Sequence, residues 1–273
     1  MSAKNWRKLA VEIPFILLSA LVILPFYMLF VNSMKSSADA AQMSLGFPKS
    51  LHFENFRTVF DEANMGVAFK NSLIITVVAV VALIVFSAFT GYVIQRRSTR
   101  ITSVIYFVIL VGLTVPTFMV PTYVLAKNLH LTDSLTGIIL VSIAINFPYG
   151  VFLYTGYFKS IPREIDESAV IDGCKPYGLF FRIIFPLLLP VTVTSIIIQF
   201  LAIWNDFSTA VYFLNTSSKY SLVMTTFFFF GAHAADWNLV FANLVIISLP
   251  VLILYFLLQR LVISGLTSGA VKS

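Results

Sequence analysis

Residues 73–94 read LIITVVAVVALIVFSAFTGYVI, a run of 22 residues without a charged side chain. An α-helix rises about 1.5 Å per residue, so this run is long enough to cross the hydrocarbon core of a bilayer, which is about 30 Å thick. A helix also pairs its backbone N–H and C=O groups within itself, as lipid requires. The stretch therefore predicts a transmembrane helix.

The whole chain has the same apolar character. Its 273 residues are 59% hydrophobic and 11% charged, and the mean hydropathy is +0.92. Soluble globular domains carry about 25% charged residues, and disordered chains contain fewer apolar residues than this one, so the composition excludes both classes. We expect an all-α membrane protein with six transmembrane helices, at about 11–31, 73–94, 101–126, 134–158, 183–203 and 239–258.

The distribution of basic residues predicts the orientation of the chain, because Lys and Arg accumulate on the cytoplasmic side of short loops. With six spans and a cytoplasmic N-terminus, 12 of the 18 Lys and Arg residues lie inside and 6 lie outside. A short apolar segment at 222–235 offers only 14 residues, and counting it as a seventh span changes the balance to 10 against 8. The charges therefore favour six spans with both termini in the cytoplasm.

The polar residues show no pattern of metal, redox or nucleic-acid chemistry. The net charge of +6 serves as an orientation signal in a membrane protein. Cys174 is the only cysteine, which excludes an intramolecular disulfide, and His52, His130 and His233 lack metal-ligand spacing. We expect no metal site, no catalytic residue and no nucleic-acid partner.

The loop between the fourth and fifth predicted spans, residues 159–182, contains four acids and four bases. Pro162 ahead of three acids predicts the start of a short helix, and Gly173 predicts its end. Apolar residues at steps of four form one face of this helix: Ile161, Ile165 and Ala169. Acids lie on another face: Glu164 and Glu167. One face can therefore dock against protein while the other pairs with a cation. The alternative is an amphipathic helix that lies on anionic lipid. Four acids in the loop disfavour that alternative, because an anionic surface attracts clustered bases.

The same loop carries a recognisable motif. Residues 167–169 (Glu-Ser-Ala) and 172–173 (Asp-Gly) are followed after nine residues by 183–186 (Ile-Ile-Phe-Pro). This pattern resembles the Glu-Ala-Ala…Gly…Ile-x-Leu-Pro signature of binding-protein-dependent ABC importer permeases, with Ser168, Phe185 and Cys174 as modest departures. The tail at 265–272 (Gly-Leu-Thr-Ser-Gly-Ala-Val-Lys) resembles the C-terminus of the smaller permease subunit in the maltose-type carbohydrate family.

The resemblance implies a mechanism in which this loop forms a coupling helix that sits in a cleft of a cytoplasmic ATPase. Carried over to this chain, Glu167 pairs with a basic group of the ATPase, Ala169 packs into the cleft and Gly173 permits the tight turn. The ATPase-coupling residues implied in this way are Glu167, Ser168, Ala169, Asp172 and Gly173. The tail residues implied to contact the ATPase are Gly269 and Lys272.

The resemblance also implies partners, and the sequence agrees with a division of labour. No Gly-x4-Gly-Lys-Ser/Thr phosphate loop occurs, so the chain binds no ATP by that route. The implied partners are a second homologous permease, two ATP-binding cassette subunits, an extracellular solute-binding protein, membrane lipid and a sugar substrate. We expect the chain to bind no cofactor itself, with ATP and Mg at the partner ATPase.

Polar side chains inside spans indicate where a solute could pass, because they are costly unless they face protein or water. Hydroxyl and amide partners together with an aromatic face suit a sugar. The candidates for the substrate path are Asn146, Tyr149, Gln199 and Trp204. The alternative is that such residues join helix to helix, as Ser, Thr and Asn commonly do in membranes.

These expectations divide the chain into three parts: a first helix with an external loop (1–66), a type-1 ABC transmembrane core (67–262) and a cytoplasmic tail (263–273). The expected location is a bacterial plasma membrane. The alternative function is a self-sufficient secondary carrier or channel. Such a protein needs ion-coupling carboxylates within its spans, and Glu12 at the edge of the first span is the only acid there.

Overall fold

The computed structural model describes the backbone of residues 3–230 and 236–270, and the side chains of residues 12–230, 236–257 and 259. The described residues are mainly helical and contain no strand. The α-helices are α1 (Ala3–Ser33), α2 (Ser37–Ala40), α3 (Glu54–Glu62), α4 (Met65–Arg96), α5 (Arg100–Thr114), α6 (Met119–Asn128), α7 (Leu135–Phe158), α8 (Glu164–Ile171), α9 (Pro176–Gly178), α10 (Phe185–Leu187), α11 (Leu189–Trp204), α12 (Phe207–Phe213) and α13 (Trp237–Ala270). A π-helix (Leu179–Ile184) joins α9 to α10, and 3₁₀ turns occupy Ser217–Lys219 and Leu222–Phe229.

Four helical stretches are long and apolar enough to cross a membrane. They overlap the first, second, fourth and sixth predicted spans: Glu12–Ser33, Met65–Arg96, Leu135–Phe158 and Trp237–Leu257. In the apolar segment excluded from the span count, Leu222–Phe229 form a short 3₁₀ helix, and residues 231–235 lie outside the described residues. The described residues thus contain four candidate spans, or six if each of two bent helix pairs crosses the membrane.

The third predicted span is broken, and the expectation of one continuous helix over 101–126 was wrong. Helices α5 and α6 are bent by 119° at a break of four residues, 115–118. Val115 is extended, with φ −81° and ψ 121°, because the ring of Pro116 disfavours the helical conformation in the residue before it. The uniform hydrophobicity of the segment conceals this break.

The fifth predicted span, 183–203, is also bent. The segment Pro176–Leu187 meets α11 at 76°. Pro190 has no backbone N–H to donate to the carbonyl of Pro186. One helical hydrogen bond across the bend is therefore missing. Pro186 and Pro190 flank the bend on its two sides.

The chain divides into two compact units, Met1–Gly66 with Thr225–Pro250, and Val67–Met224 with Val251–Ser273. In the first unit a polar cluster covers the end of α1. The buried Lys35 ammonium donates to the Ser44 carbonyl at 2.7 Å. The Asn55 side chain donates to the carbonyls of Ser33 and Lys35, both at 2.9 Å, and accepts from Asn238 at 2.8 Å. The bond to Ser33 satisfies a carbonyl that the end of α1 leaves without a partner in its own helix.

The second unit contains α4, α7 and α11, and its core is aromatic and aliphatic. Its largest fully buried side chains include Trp204, Tyr154, Phe158, Phe180 and Phe213. Helix α4 approaches α7 closely, since a Cβ placed on Gly150 would lie 2.3 Å from the Ser87 hydroxyl. Small residues at such crossings let helix backbones pack directly against each other.

Asp133 joins two loops of the second unit. Its carboxylate accepts from the backbone N–H groups of Asn215 and Thr216 at 3.0 and 3.1 Å, and from the Thr216 hydroxyl at 2.7 Å. The Lys219 ammonium lies 2.8 Å from the same carboxylate. These hydrogen bonds, with that of Lys219 first, hold the pKa of Asp133 well below its usual range.

We expect Asp133→Asn to lower the thermal midpoint of the purified protein by a few degrees, and Asp133→Ala to lower it further. Asp133 has a φ of +47°, which Asn tolerates better than Ala does. A depressed carboxyl pKa contributes its full stabilisation above the unfolded pKa of about 3.9, and that contribution decreases progressively as the pH falls from there towards the depressed pKa of the folded state. The thermal midpoints of wild type and Asp133→Asn should therefore differ less at pH 3 than at pH 7. A difference in midpoint that does not depend on pH contradicts this account.

Candidate functional site

Helix α8 lies in the loop singled out by the sequence, and its boundaries follow from local chemistry. It runs from Glu164 to Ile171, with Glu164, Asp166 and Glu167 in the first turn. Carboxylates are favoured there because the N-terminus of a helix carries a partial positive charge. The short helix predicted from this pattern is confirmed.

The end of α8 is set by Gly173. Its φ is +78°, a left-handed conformation that glycine adopts without steric cost. The N–H of Gly173 donates to the carbonyl of Val170 and that of Cys174 to the carbonyl of Ala169, each at 3.0 Å. This pair of bonds is a Schellman motif, which satisfies the last carbonyls and turns the chain out of the helix axis. The predicted helix stop is therefore confirmed.

The two faces of α8 differ in exposure. Ala169 is 5% exposed and Ile161, just ahead of the helix, is 8% exposed, so this face packs against the chain itself. The open face consists of residues at helical spacing: Glu164, Glu167, Ser168 and Ile171. Ile171 is 85% exposed. Ala169, which the resemblance implies to pack into a partner's cleft, is buried against the chain itself.

The segment after α8 returns along α4. Phe180, in the π-helix, is 1% exposed. Its ring centroid lies 5.4 Å from that of Phe89 and 5.5 Å from that of Tyr92, both on α4. Such tilted and edge-to-face pairs are favourable arrangements of aromatic rings. The loop is thus packed onto the end of α4 rather than projecting away from it.

An ion pair that sequence reasoning missed joins α4 to α8. The Arg96 guanidinium, at the end of α4, pairs with the Asp166 carboxylate, and the two side chains are 13% and 14% exposed. Burial raises the pKa of Asp166, and Arg96 opposes that rise. Arg96 and Asp166 are 70 positions apart, so no local pattern reveals the pair. The only signals are two adjacent arginines at the end of an apolar run and an acid between Glu164 and Glu167 in the loop.

The four candidates for a substrate path are placed in the second unit in unequal surroundings. Asn146 and Tyr149 are partly exposed, whereas Gln199 is 1% and Trp204 is 2% exposed. The Gln199 amide donates to the Asn146 carbonyl at 3.4 Å, and the Trp204 ring stacks on Phe200 with centroids 5.2 Å apart. The bond between Gln199 and Asn146 is the helix-to-helix contact that the alternative interpretation describes.

Two further predictions concern the tail and metal binding. Gly269 lies near the end of α13, and Lys272 lies outside the described residues. Among the residues described, no group of three or more His, Cys, Asp or Glu side chains could hold a metal ion.

The sequence is similar to a family of membrane transport proteins. The family described as "binding-protein-dependent transport system inner membrane component" matches residues 83–268, which include α8 and its contacts with the end of α4. A solved structure titled as a bacterial ABC transporter involved in the import of the acidic polysaccharide alginate has a chain of the same fold. It superposes with a TM-score of 0.84 at 20% identity, covering 95% of this chain and 98% of that one.

Individual relatives are similar over almost their whole length. A probable starch degradation products transport system permease protein of Thermoanaerobacterium thermosulfurigenes is 37% identical over 260 residues, 94% of each chain. A melibiose/raffinose/stachyose import permease protein of Bacillus subtilis is 35% identical over 252 residues, 91% of each chain. An arabinooligosaccharides transport system permease protein of the same organism is 31% identical over 271 residues, covering 97% of this chain and 96% of that protein.

Proposed function

The chain belongs to the family of inner membrane components of binding-protein-dependent transport systems, and on that premise we propose that it is the permease subunit of an ATP-driven importer for a sugar or oligosaccharide. The sugar substrate is supported by relatives whose names state starch degradation products, melibiose, raffinose and stachyose. Those names support an importer subunit and not a self-sufficient carrier or channel. In a bacterial plasma membrane, the chain would form half of the translocation path.

The observation that carries the proposal is the way α8 is packed, with one face against the chain and one face open. The helix presents an open face with two carboxylates, Glu164 and Glu167, beside the exposed Ile171, while its other face is packed against the chain. A fixed helix with a charged and apolar open face suits docking into a partner that supplies a basic group and an apolar pocket. We assign that docking to a cytoplasmic ATPase, with Glu167 and Ser168 in contact and Ala169, Asp172 and Gly173 fixing the helix and its end.

The remaining parts of the assembly follow from the same proposal. A second homologous permease completes the path, two ATP-binding cassette subunits hold ATP and Mg, and an extracellular binding protein delivers the sugar. Six spans with both termini in the cytoplasm place α8 beside the ATPase subunits. In this arrangement 67–262 is the transmembrane core, 1–66 precedes it, and the tail with Gly269 and Lys272 lies near the ATPase.

The experiment uses the transporter purified from its own membrane in mild detergent and reconstituted in proteoliposomes. Wild type is expected to copurify with an ATPase and to take up labelled oligosaccharide only with ATP. Glu167→Lys is expected to lower uptake at least tenfold, because the substitution places a cation against the partner's basic group. Glu62→Lys, the same charge reversal at an exposed acid of α3, is the matched control.

Three outcomes would contradict the proposal. The chain could purify without an ATPase, or Glu167→Lys could transport as wild type does. Flux through liposomes containing only this polypeptide and driven by an ion gradient would favour the carrier instead.

A further inference from the structure

The end of α4 and the start of α8 are bound to each other by reciprocal contacts of two arginines. Arg96 pairs with Asp166 and also donates to the carbonyls of Ile161 and Pro162, at 3.2 and 3.4 Å. In return, Arg163, next to the start of α8, donates to the carbonyl of Gln95 at 3.0 Å. Each arginine thus bonds backbone carbonyls of the other segment, including one in the last turn of α4 that has no donor within its own helix.

Helix α4 has no short covalent connection to α8, which makes these contacts significant. Along the chain, the linker 159–163 joins α7 to α8. After α8, the chain continues through the π-helix to α11. Any displacement of α8 therefore reaches α7 and α11 through the backbone. It reaches α4 only through packing, the carbonyl hydrogen bonds and the ion pair.

The ion pair is better suited to fixing geometry than to adding stability. The pKa of Asp166 is raised because burial outweighs the attraction of Arg96, so the ionised carboxylate is less favourable in the fold than in water. Buried ion pairs commonly add little net stability, and in some proteins they instead fix one arrangement of the groups around them. The contacts of Phe180 with Phe89 and Tyr92 supply apolar packing that remains when the pair is removed.

We propose that Arg96 and Asp166 are positioning residues that hold α4 to the coupling helix α8, so that α4 moves together with α8 when the ATPase closes. The proposal rests on the importer function proposed above, and it assigns the pair to the transmission of movement rather than to contact with the partner. Both side chains are largely buried within the chain, so neither forms the open face of α8.

The test measures coupling in the whole reconstituted transporter, as ATP hydrolysed per molecule of oligosaccharide taken up. Asp166→Asn and Arg96→Gln are expected to assemble with the ATPase and hydrolyse ATP, but to raise this ratio at least fivefold, because α8 moves without carrying α4. Arg97→Gln, at the adjacent exposed arginine, is the matched control and should keep the wild-type ratio.

The outcomes separate this inference from the proposed function. If wild type neither copurifies with an ATPase nor shows ATP-dependent uptake, the proposed function fails. If wild type is coupled and Asp166→Asn has the wild-type ratio, the positioning role is wrong. Asp166→Asn keeps the volume of the side chain and leaves Arg96 its carbonyl acceptors, so it decides the question even if Arg96→Gln does not assemble.

Discussion

Replacing Gly137 by alanine will strongly destabilise the transporter subunit. Gly137 lies in the first turn of α7, where its N–H donates to the Ser134 hydroxyl at 3.0 Å. A Cβ at this position would lie 1.8 Å from the carbonyl oxygen and 2.8 Å from the carbonyl carbon of Leu131. The obstructing atoms belong to the backbone, so no side-chain rotation relieves the overlap. We expect a cost on the order of 3 kcal/mol or more.

Gly156→Ala in the same helix is the matched control. A Cβ at Gly156 meets no atom within 4 Å, and alanine favours a helix over glycine by about 0.5–1 kcal/mol. Thermal unfolding in detergent and the yield of monodisperse protein should therefore fall sharply for Gly137→Ala and stay level or rise for Gly156→Ala. Equal stability of the two variants would contradict the prediction, because it would show that the backbone at Leu131 moves away from the added Cβ at little cost.

Replacing Gly173 by valine will reduce ATP-driven uptake at least tenfold while leaving the protein folded. A Cβ at Gly173 meets no atom within 4 Å, so the space for a side chain is open and only the φ of +78° opposes one. The left-handed conformation costs an L-residue about 1–2 kcal/mol, with β-branched residues the least suited to it. We expect the end of α8 to change direction, which would displace the open face from its partner.

Gly173→Asn separates backbone conformation from the loss of glycine as such, since Asn adopts positive φ more readily than valine does. Its uptake in proteoliposomes should exceed half that of wild type. The thermal midpoints of both variants should stay close to wild type, since the site lies in an exposed turn. Equal, normal uptake by Gly173→Val and Gly173→Asn would mean that the end of α8 has no part in coupling.

Much of the architecture could be predicted from local sequence because membrane helices are determined by length and hydrophobicity. The run at 73–94 lies within α4, and the acids and Gly173 that bound α8 act on adjacent residues. The break at 115–118 was not predicted as an interruption of the third span. Pro116 was visible in the sequence, but whether a proline merely kinks a helix or ends it depends on the packing of neighbouring helices.

The candidate site was predictable in place but not in its contacts. The loop and the exposed Glu167 followed from the motif and the periodicity. The burial of Ala169, the bond from Gln199 to the Asn146 carbonyl and the pairing of Arg96 with Asp166 did not. Each of these contacts depends on which faces of distant helices meet. Helical periodicity shows which residues share a face, but it does not show which residues of another helix pack against that face.

The sequence by itself determined that the chain is a helical membrane protein with a short, capped helix in the loop before its fifth apolar segment, because hydrophobic length, helix dipole and left-handed glycine are local properties. Only the tertiary structure decided that this helix is bound to the end of α4 by a largely buried ion pair, and that the π-helix after it packs on α4 through aromatic rings. The physical reason is that an ion pair or ring contact requires two groups within a few ångströms, and residues 70 positions apart reach that distance only once the helices have packed.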